Sequence, residues 1–319
     1  MPLPPGGELT TDQVLERVDL GGRHVFVTGA SSGLGAETAR ALAAKGAAVT
    51  LAARDVAKLE AVVTRIAEQT GNRDLRVSAL DLTDLDSVRA CAKSWLASGK
   101  PLDLLINNAG VMACPLTRTS RGWEMQLATN HIGHFLLTCL LVPALRAAAP
   151  ARVVNLSSAG HRLAGFDFDD PHFEHRPYDK WSAYGQSKTA NVLFGVALDG
   201  RLARHGVRAF AVHPGMIMTE LGRHLDQDDI KELMSRTPAG GSKLAWKTAE
   251  QGAATSVWAA TSGELDGRGG LYCADCGVAS ADADSEDLTG VAPHAVDPAM
   301  AERLWTLSEQ WVGEKFGFA

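Results

Sequence analysis

No uninterrupted apolar run in this chain of 319 residues approaches the length needed to cross a bilayer. The best candidate, Phe135 to Ala148, is too short and is broken by Pro143 and Arg146, so no membrane span is expected. The opening MPLPPGGELT lacks a basic cluster and an apolar core, and residues 1–20 read as a flexible leader rather than a secretory signal. Positive charge is not in excess either. Lys and Arg number 31 against 37 Asp and Glu, a net charge of −6 that argues against a nucleic-acid surface or a polybasic membrane patch. Cysteines are few and odd in number: Cys91, Cys114 and Cys139 in apolar contexts, then Cys273 and Cys276. That usage suits a reducing compartment, and a cytoplasmic location is expected. Cys273 and Cys276 form a C-x-x-C with no second half-site, so no zinc site is expected. His161, His172 and His175 have no helical or strand ligand spacing and read as polar lining or pH-sensitive contacts.

What is present is ordinary for a globular chain, 45% hydrophobic and 21% charged, with no internal repeat. It is organised around His24 to Gly46. There the apolar run Val25-Phe26-Val27 passes through the turn Gly29-Ala30-Ser31-Ser32-Gly33-Leu34-Gly35 into a helix. Glycines permit a tight turn or close approach of a ligand, and the unpaired N–H groups of a starting helix attract a pyrophosphate. The G-x-G-x-x-G fingerprint is missing, and by spacing alone the turn is as much an ordinary glycine loop as a phosphate cradle.

Further strands are expected at Ala47 to Ala53, Leu75 to Leu80, Leu102 to Ile106, Arg152 to Leu156, Arg208 to Val212 and Gly270 to Tyr272. Helices are expected between them, one of them capped by Asp55 and stopped by Gly71, another over Tyr184 to Arg204. The alternation predicts an α/β fold, a single domain with a doubly wound parallel sheet of about seven strands (a Rossmann fold) over residues 21–275, and an extension, 276–319, ending in a packed helix at Pro298 to Trp311. Two segments break the rhythm, Gly160 to Trp181 and the substrate loop 216–247, and both leave the carboxyl ends of strands, where such sheets bind ligands.

Tyr184 and Lys188 stand four apart, on one face of a helix, and an ammonium near a phenol favours the phenolate. On the pair alone, a surface tyrosine beside a solvated lysine is the plainer reading. Ser157 and Ser158 past one strand, Asn107 and Asn108 past another, and Asn130 inside a helix add polar groups at the same sheet edge.

Taken together, Thr28-Gly29-x-x-x-Gly33-x-Gly35, Asn107-Asn108-Ala109-Gly110, Asn130, Ser158, Tyr184-x-x-x-Lys188 and His213-Pro214-Gly215 resemble the short-chain dehydrogenase/reductases over about Gly22 to Cys276. Asn130-His131-Ile132-Gly133-His134-Phe135 and the long gap between Ser158 and Tyr184 look most like the retinol dehydrogenase and WW-domain oxidoreductase branch. The resemblance implies Tyr184 as general acid/base, Ser158 as the hydroxyl polarising the substrate oxygen (with Ser157 as fallback), and Lys188 holding the nicotinamide ribose while lowering the Tyr184 pKa. It implies Asn130 supporting a water behind Lys188. It also implies a cofactor lying against Gly29, Ser31, Ser32, Gly33, Leu34, Gly35, Arg54, Asp81, Leu82, Asn108, Ala109, Gly110, Tyr184, Lys188, Pro214, Gly215, Ile217 and Thr219, the last of which also suits a helix cap.

After the second strand, Ala53-Arg54 stands where a cofactor without a 2′-phosphate needs an acid. An arginine there pairs with that phosphate, so NADP(H) is expected over NAD(H). The expected activity is interconversion of an alcohol with a ketone or aldehyde on a small-molecule substrate; the competing reading is an NADP(H)-binding redox sensor without turnover. Met216, Ile217, Met218, Leu221 and Leu225, with Phe166, Phe168 and Trp181, suggest an apolar pocket. In a homo-oligomer of this family the joining helices would lie at Trp123 to Ala148 and Tyr184 to Arg204.

Overall fold

Short apolar runs closed by turn residues form the strands, because a strand covered on both faces needs apolar side chains on both. The computed structural model describes residues 6–217, 220–222, 225–236, 246–281 and 288–318. Its strands are β1 (His24–Thr28), β2 (Ala48–Ala53), β3 (Leu75–Ala79), β4 (Leu104–Asn107), β5 (Ala151–Leu156) and β6 (Val207–His213). They continue with β7 (Met216–Ile217), β8 (Trp246–Lys247), β9 (Leu271–Ala274) and β10 (Gly277–Val278). The main sheet runs β10-β9-β6-β5-β4-β1-β2-β3, parallel throughout except for the short antiparallel β10, while β7 and β8 pair by themselves. The expected seven parallel strands are therefore present with an eighth added at the edge.

Helices cover both faces: α1 (Thr11–Val14), α2 (Gly33–Ala43), α3 (Val56–Thr70), α4 (Leu85–Ala97), α5 (Met125–Leu127), α6 (Gly133–Ala147), α7 (Lys180–Leu202), α8 (Gln227–Arg236), α9 (Ala249–Thr261) and α10 (Pro298–Val312). Alternation along β1 shows the two layers. Phe26 packs with α4, α6, α7 and α10, whereas Val25 and Val27 pack with α2, α3 and α9. Caps fix where several helices begin: Asp55 accepts the Lys58 N–H at 3.0 Å, and Asp179 accepts that of Ser182 at 2.7 Å. Gly71 ends α3 in the left-handed conformation, φ +73°.

Register aligns the strand ends that matter. Val27 pairs with Ile106, Asn107 with Asn155 and Leu156 with Val212, so β1, β4, β5 and β6 all end at one edge. Strand order reverses between β1 and β4, and a crevice opens there.

Two expectations change. Within the leader, Thr10 caps α1 with a capping box, and Leu15 and Leu20 are buried in the α2/α9 layer, so this stretch is docked rather than trailing. The terminal helix of the extension packs on the domain as expected, with Leu304 and Trp305 buried against α6 and α7. Finally, the apolar helical stretch is longer than the sequence suggested. Among the described residues, Met125–Ala147 is long and apolar enough by composition to cross a membrane, but 83% of its most apolar window is buried inside the fold, the setting of a core helix.

The helices named for oligomerisation carry α10 of the same chain. Phe135 and Phe194 meet Trp305 with ring centres 4.9 and 6.2 Å apart, and Arg201 stacks on Trp305 while its guanidinium pairs with Glu302 at 2.6 Å.

Candidate active site

Past β1 the chain must turn sharply, and Gly29 (φ +66°) and Gly33 (φ +53°) supply the left-handed conformations. Space is as decisive as conformation. A Cβ on Gly29 would sit 2.6 Å from the Ala109 Cα, and one on Gly35 would strike the Asn108 amide and lie 2.9 Å from the Gly29 carbonyl carbon. The Asn108 Nδ2 donates to the carbonyls of Thr28 (2.8 Å) and Gly29 (3.3 Å), and the Thr28 hydroxyl accepts the N–H groups of Asn108 (2.9 Å) and Ala109 (3.0 Å). Asn108 thus braces the turn as well as bordering the ligand space.

That space is a cavity of about 1240 Å³, large enough for a dinucleotide with a substrate beside it. Gly29, Ser31, Ser32, Gly33, Leu34 and Gly35 form one wall; Arg54, Asp81, Leu82, Asn108, Ala109 and Gly110 continue it; Ser158, Tyr184, Lys188, Pro214, Gly215 and Ile217 face them. A crevice lined by bare glycines at the start of α2, with a cation past β2, suits a pyrophosphate and a 2′-phosphate. Asp81 is engaged locally: its carboxylate accepts the Thr83 N–H at 2.9 Å. Thr219 and Met218 lie outside the described residues.

At the far end of the cavity the side chains of Ser158 and Tyr184 are neighbours, both lying against Gly160. The Gly160 N–H donates to Ser158 Oγ at 3.0 Å, and a Cβ on Gly160 would lie 2.7 Å from the Tyr184 ring, so the backbone closes tightly around the pair. Ser157 is turned the other way, its hydroxyl donating to the Lys188 carbonyl at 2.9 Å. The Lys188 ammonium donates to the Leu156 carbonyl at 3.0 Å and stands 5.6 Å from the centre of the Tyr184 ring. Burial pushes the lysine down to about 8 and the tyrosine up to about 12, with the Ser158 hydroxyl opposing the second shift. Desolvation of the phenol outweighs the other influences on it, so its pKa lies above the ordinary value rather than below it.

Asn130 lies outside the cavity wall, in a π-helical turn, Ala128–Ile132, between α5 and α6. Its Oδ1 accepts the Val111 N–H at 2.8 Å, and its Nδ2 donates to the Val111 carbonyl (3.0 Å) and the Ser187 hydroxyl (2.9 Å). It therefore ties the segment after β4 to the helix bearing Tyr184 and Lys188.

The substrate end differs in part from expectation. Trp181, Met216, Ile217, Leu221 and Leu225 line the cavity; Phe166 and Phe168 do not, and pack instead on each other at 4.8 Å, with Trp311 and Arg303 of α10. His161 is a brace rather than lining: its ring takes the Ser158 carbonyl at 2.7 Å and the Ala292 N–H at 2.9 Å, and His172 accepts the Glu124 N–H at 3.3 Å. Among the described residues no group of His, Cys, Asp and Glu side chains could hold a metal ion.

Leu288, Ala292, Pro293 and His294, which had no signal in the sequence, come from the extension, brought in by its packing; Ile230 and Leu233 come from α8, inside the expected substrate loop. Arg236 of α8 pairs with Asp179 at 3.0 Å, and Asp229 pairs with Lys180, fastening that helix to the start of α7. Lys58, in the first turn of α3, lines the same wall as Arg54.

Comparison with known proteins agrees with this geometry. Residues 23–230 match the short chain dehydrogenase family. The chain is 49% identical to a Streptomyces lividans protein named "Probable oxidoreductase" over 90% of its own length and 97% of the relative's. It is 43% identical to human retinol dehydrogenase 12, covering 93% and 88%. A solved structure of an uncharacterized protein from Mycobacterium paratuberculosis superposes with a TM-score of 0.73 at 35% identity, covering 98% of this chain and all of that one (100%). The RhlG active-site complex with NADP from Pseudomonas aeruginosa superposes with a TM-score of 0.63 at 27% identity, over 80% and 95%.

Proposed function

The chain belongs to the short-chain dehydrogenase family, in its retinol dehydrogenase branch, and on that premise we propose that this nicotinamide-dependent oxidoreductase is an NADP(H)-dependent enzyme interconverting an alcohol and a carbonyl on an apolar substrate. The observation that carries the reading is the adjacent Ser158 and Tyr184 side chains facing a glycine-walled cavity, with the Lys188 ammonium behind them.

Gly29 to Gly35 would hold the pyrophosphate through backbone N–H groups, and Arg54 with Lys58 would meet the 2′-phosphate. Bound there, the nicotinamide supplies or accepts the hydride. In the reducing direction the Ser158 hydroxyl fixes the substrate oxygen, and the Tyr184 hydroxyl donates the proton that completes the alcohol. A phenol raised by burial stays protonated until it is needed, and Lys188, charged below about 8, stabilises the phenolate left behind. Asn130 keeps α7 in register with the segment after β4. Trp181, Leu221, Leu225, Ile230 and Leu233 favour an apolar body on the substrate, in keeping with the retinol dehydrogenase relatives. A redox sensor without turnover leaves the buried Tyr184 and Lys188, with Ser158 beside them, without a task. Absorbance of NADPH followed against a panel of apolar aldehydes and ketones tests the reading: steady oxidation of NADPH with at least one of them is expected, and none with any contradicts it.

A further inference from the structure

The sequence carries a second histidine in its Asn130-His131-Ile132-Gly133-His134 run that the reaction as described does not use. His134 is buried, and both ring nitrogens are engaged. Nδ1 lies 3.0 Å from the Asn130 carbonyl oxygen and Nε2 lies 2.8 Å from the Thr28 hydroxyl. A carbonyl only accepts, so Nδ1 carries the hydrogen and donates it, and Nε2 is left to accept from Thr28. The Thr28 hydroxyl has one hydrogen to give. The other acceptor in reach, the Ile106 carbonyl, is 3.4 Å away, and the hydroxyl's lone pairs take the N–H groups of Asn108 and Ala109. Every donor and acceptor in this chain of bonds is matched.

We propose that His134 is a positioning residue whose imidazole clamps the Asn130 carbonyl to the Thr28 hydroxyl, linking the π turn beneath the catalytic residues to the glycine turn that holds the cofactor. The inference rests on the oxidoreductase reading given above. Burial, with the nearby Lys188 charge, holds the ring at about 4, so it stays neutral and keeps both roles at working pH. One end of the clamp orders the wall at Asn108 and Ala109; the other orders the helix whose Asn130 reaches Ser187, next to Lys188.

The two ends are separable by substitution. His134→Asn puts an amide where Nδ1 stands, keeping the Asn130 bond and falling short of Thr28; His134→Gln puts one where Nε2 stands and keeps the Thr28 bond. NADPH affinity is read by fluorescence titration, and hydride transfer by single turnover at saturating NADPH with a carbonyl from the panel. His134→Asn is expected to bind NADPH about fivefold more weakly with the transfer rate within twofold of the parent, and His134→Gln to show the reverse, each having lost one hydrogen bond. His134→Leu loses on both readouts, and the two amide variants carry the test if it does not fold. Equal behaviour of the Asn and Gln variants in both readouts, whether both like the parent or both equally impaired, overturns the proposal. If the protein turns over no carbonyl, the oxidoreductase reading fails separately, because NADPH binding alone still distinguishes the two variants.

Discussion

A methyl group added at Gly35 tests the cofactor turn most sharply. In Gly35→Ala the new Cβ meets the Asn108 side-chain amide and the Gly29 carbonyl, 2.9 Å from its carbon, and backbone gives way only at a cost. If the Asn108 amide swings aside, it abandons bonds of 2.8 and 3.3 Å to Thr28 and Gly29, worth about 1 kcal/mol each. If the backbone moves instead, overpacking costs about 1–3 kcal/mol. Either route displaces the N–H groups expected to hold the pyrophosphate, and a loss of about 2 kcal/mol in binding is about thirtyfold in dissociation constant. NADPH titration by fluorescence measures this, with urea unfolding alongside to separate binding from stability. Gly71→Ala is the control. Gly71 has a left-handed φ, +73°, and nothing lies within 4 Å of a Cβ there. That variant should lose about 1–2 kcal/mol of stability from backbone strain and none of its NADPH affinity. A Gly35→Ala protein that binds NADPH within threefold of the parent would refute the close-approach argument.

Arg54→Ala should cut the preference for NADPH over NADH about tenfold, and Arg54→Ala with Lys58→Ala further, since charge-assisted contacts to a phosphate are the strong ones; kinetics with both cofactors check this, and an unchanged preference removes the assignment. Acid should destabilise the fold earlier than carboxylate titration alone predicts. Burial lowers His131 and His213 to about 3 and His134, His161 and His172 to about 4, so from about pH 6.5 downward the unfolded chain takes up protons that the folded one refuses. The stability is complete above that pH and is lost below it, by up to about 1.4 kcal/mol per pH unit for each histidine. Urea midpoints at pH 7.5 and 5.5 should differ clearly, and equal midpoints contradict the burial argument.

The fold was legible wherever local pattern and tertiary need coincide. Apolar runs at Val25 to Val27 and Val153 to Leu156 become strands because nothing else satisfies buried backbone in such short pieces, and Asp55 and Gly71 bound α3 as their chemistry predicts. The candidate site was legible because its residues follow strand ends, which parallel register brings to one edge. Long-range packing was not. Nothing near Ala292 or His294 announces that they border the cavity; His161, some 130 residues earlier, holds them there. Phe166 and Phe168 read as substrate lining because loop aromatics look alike whether they face a ligand or a helix, and α10 took them. The Tyr184 pKa shows the same limit. Spacing reveals the Lys188 neighbour but not the depth of burial, which dominates.

The central claim is that Tyr184 passes the proton, and replacing its hydroxyl with hydrogen tests it directly. Tyr184→Phe keeps the ring that fills the space beside Gly160 and removes only the hydroxyl. With NADPH affinity first shown to be within threefold of the parent, its carbonyl reduction in single turnover should fall by about 10²- to 10⁴-fold, the usual contribution of a positioned acid. A Tyr184→Phe protein that binds NADPH and reduces the carbonyl at the parent's rate would contradict the account.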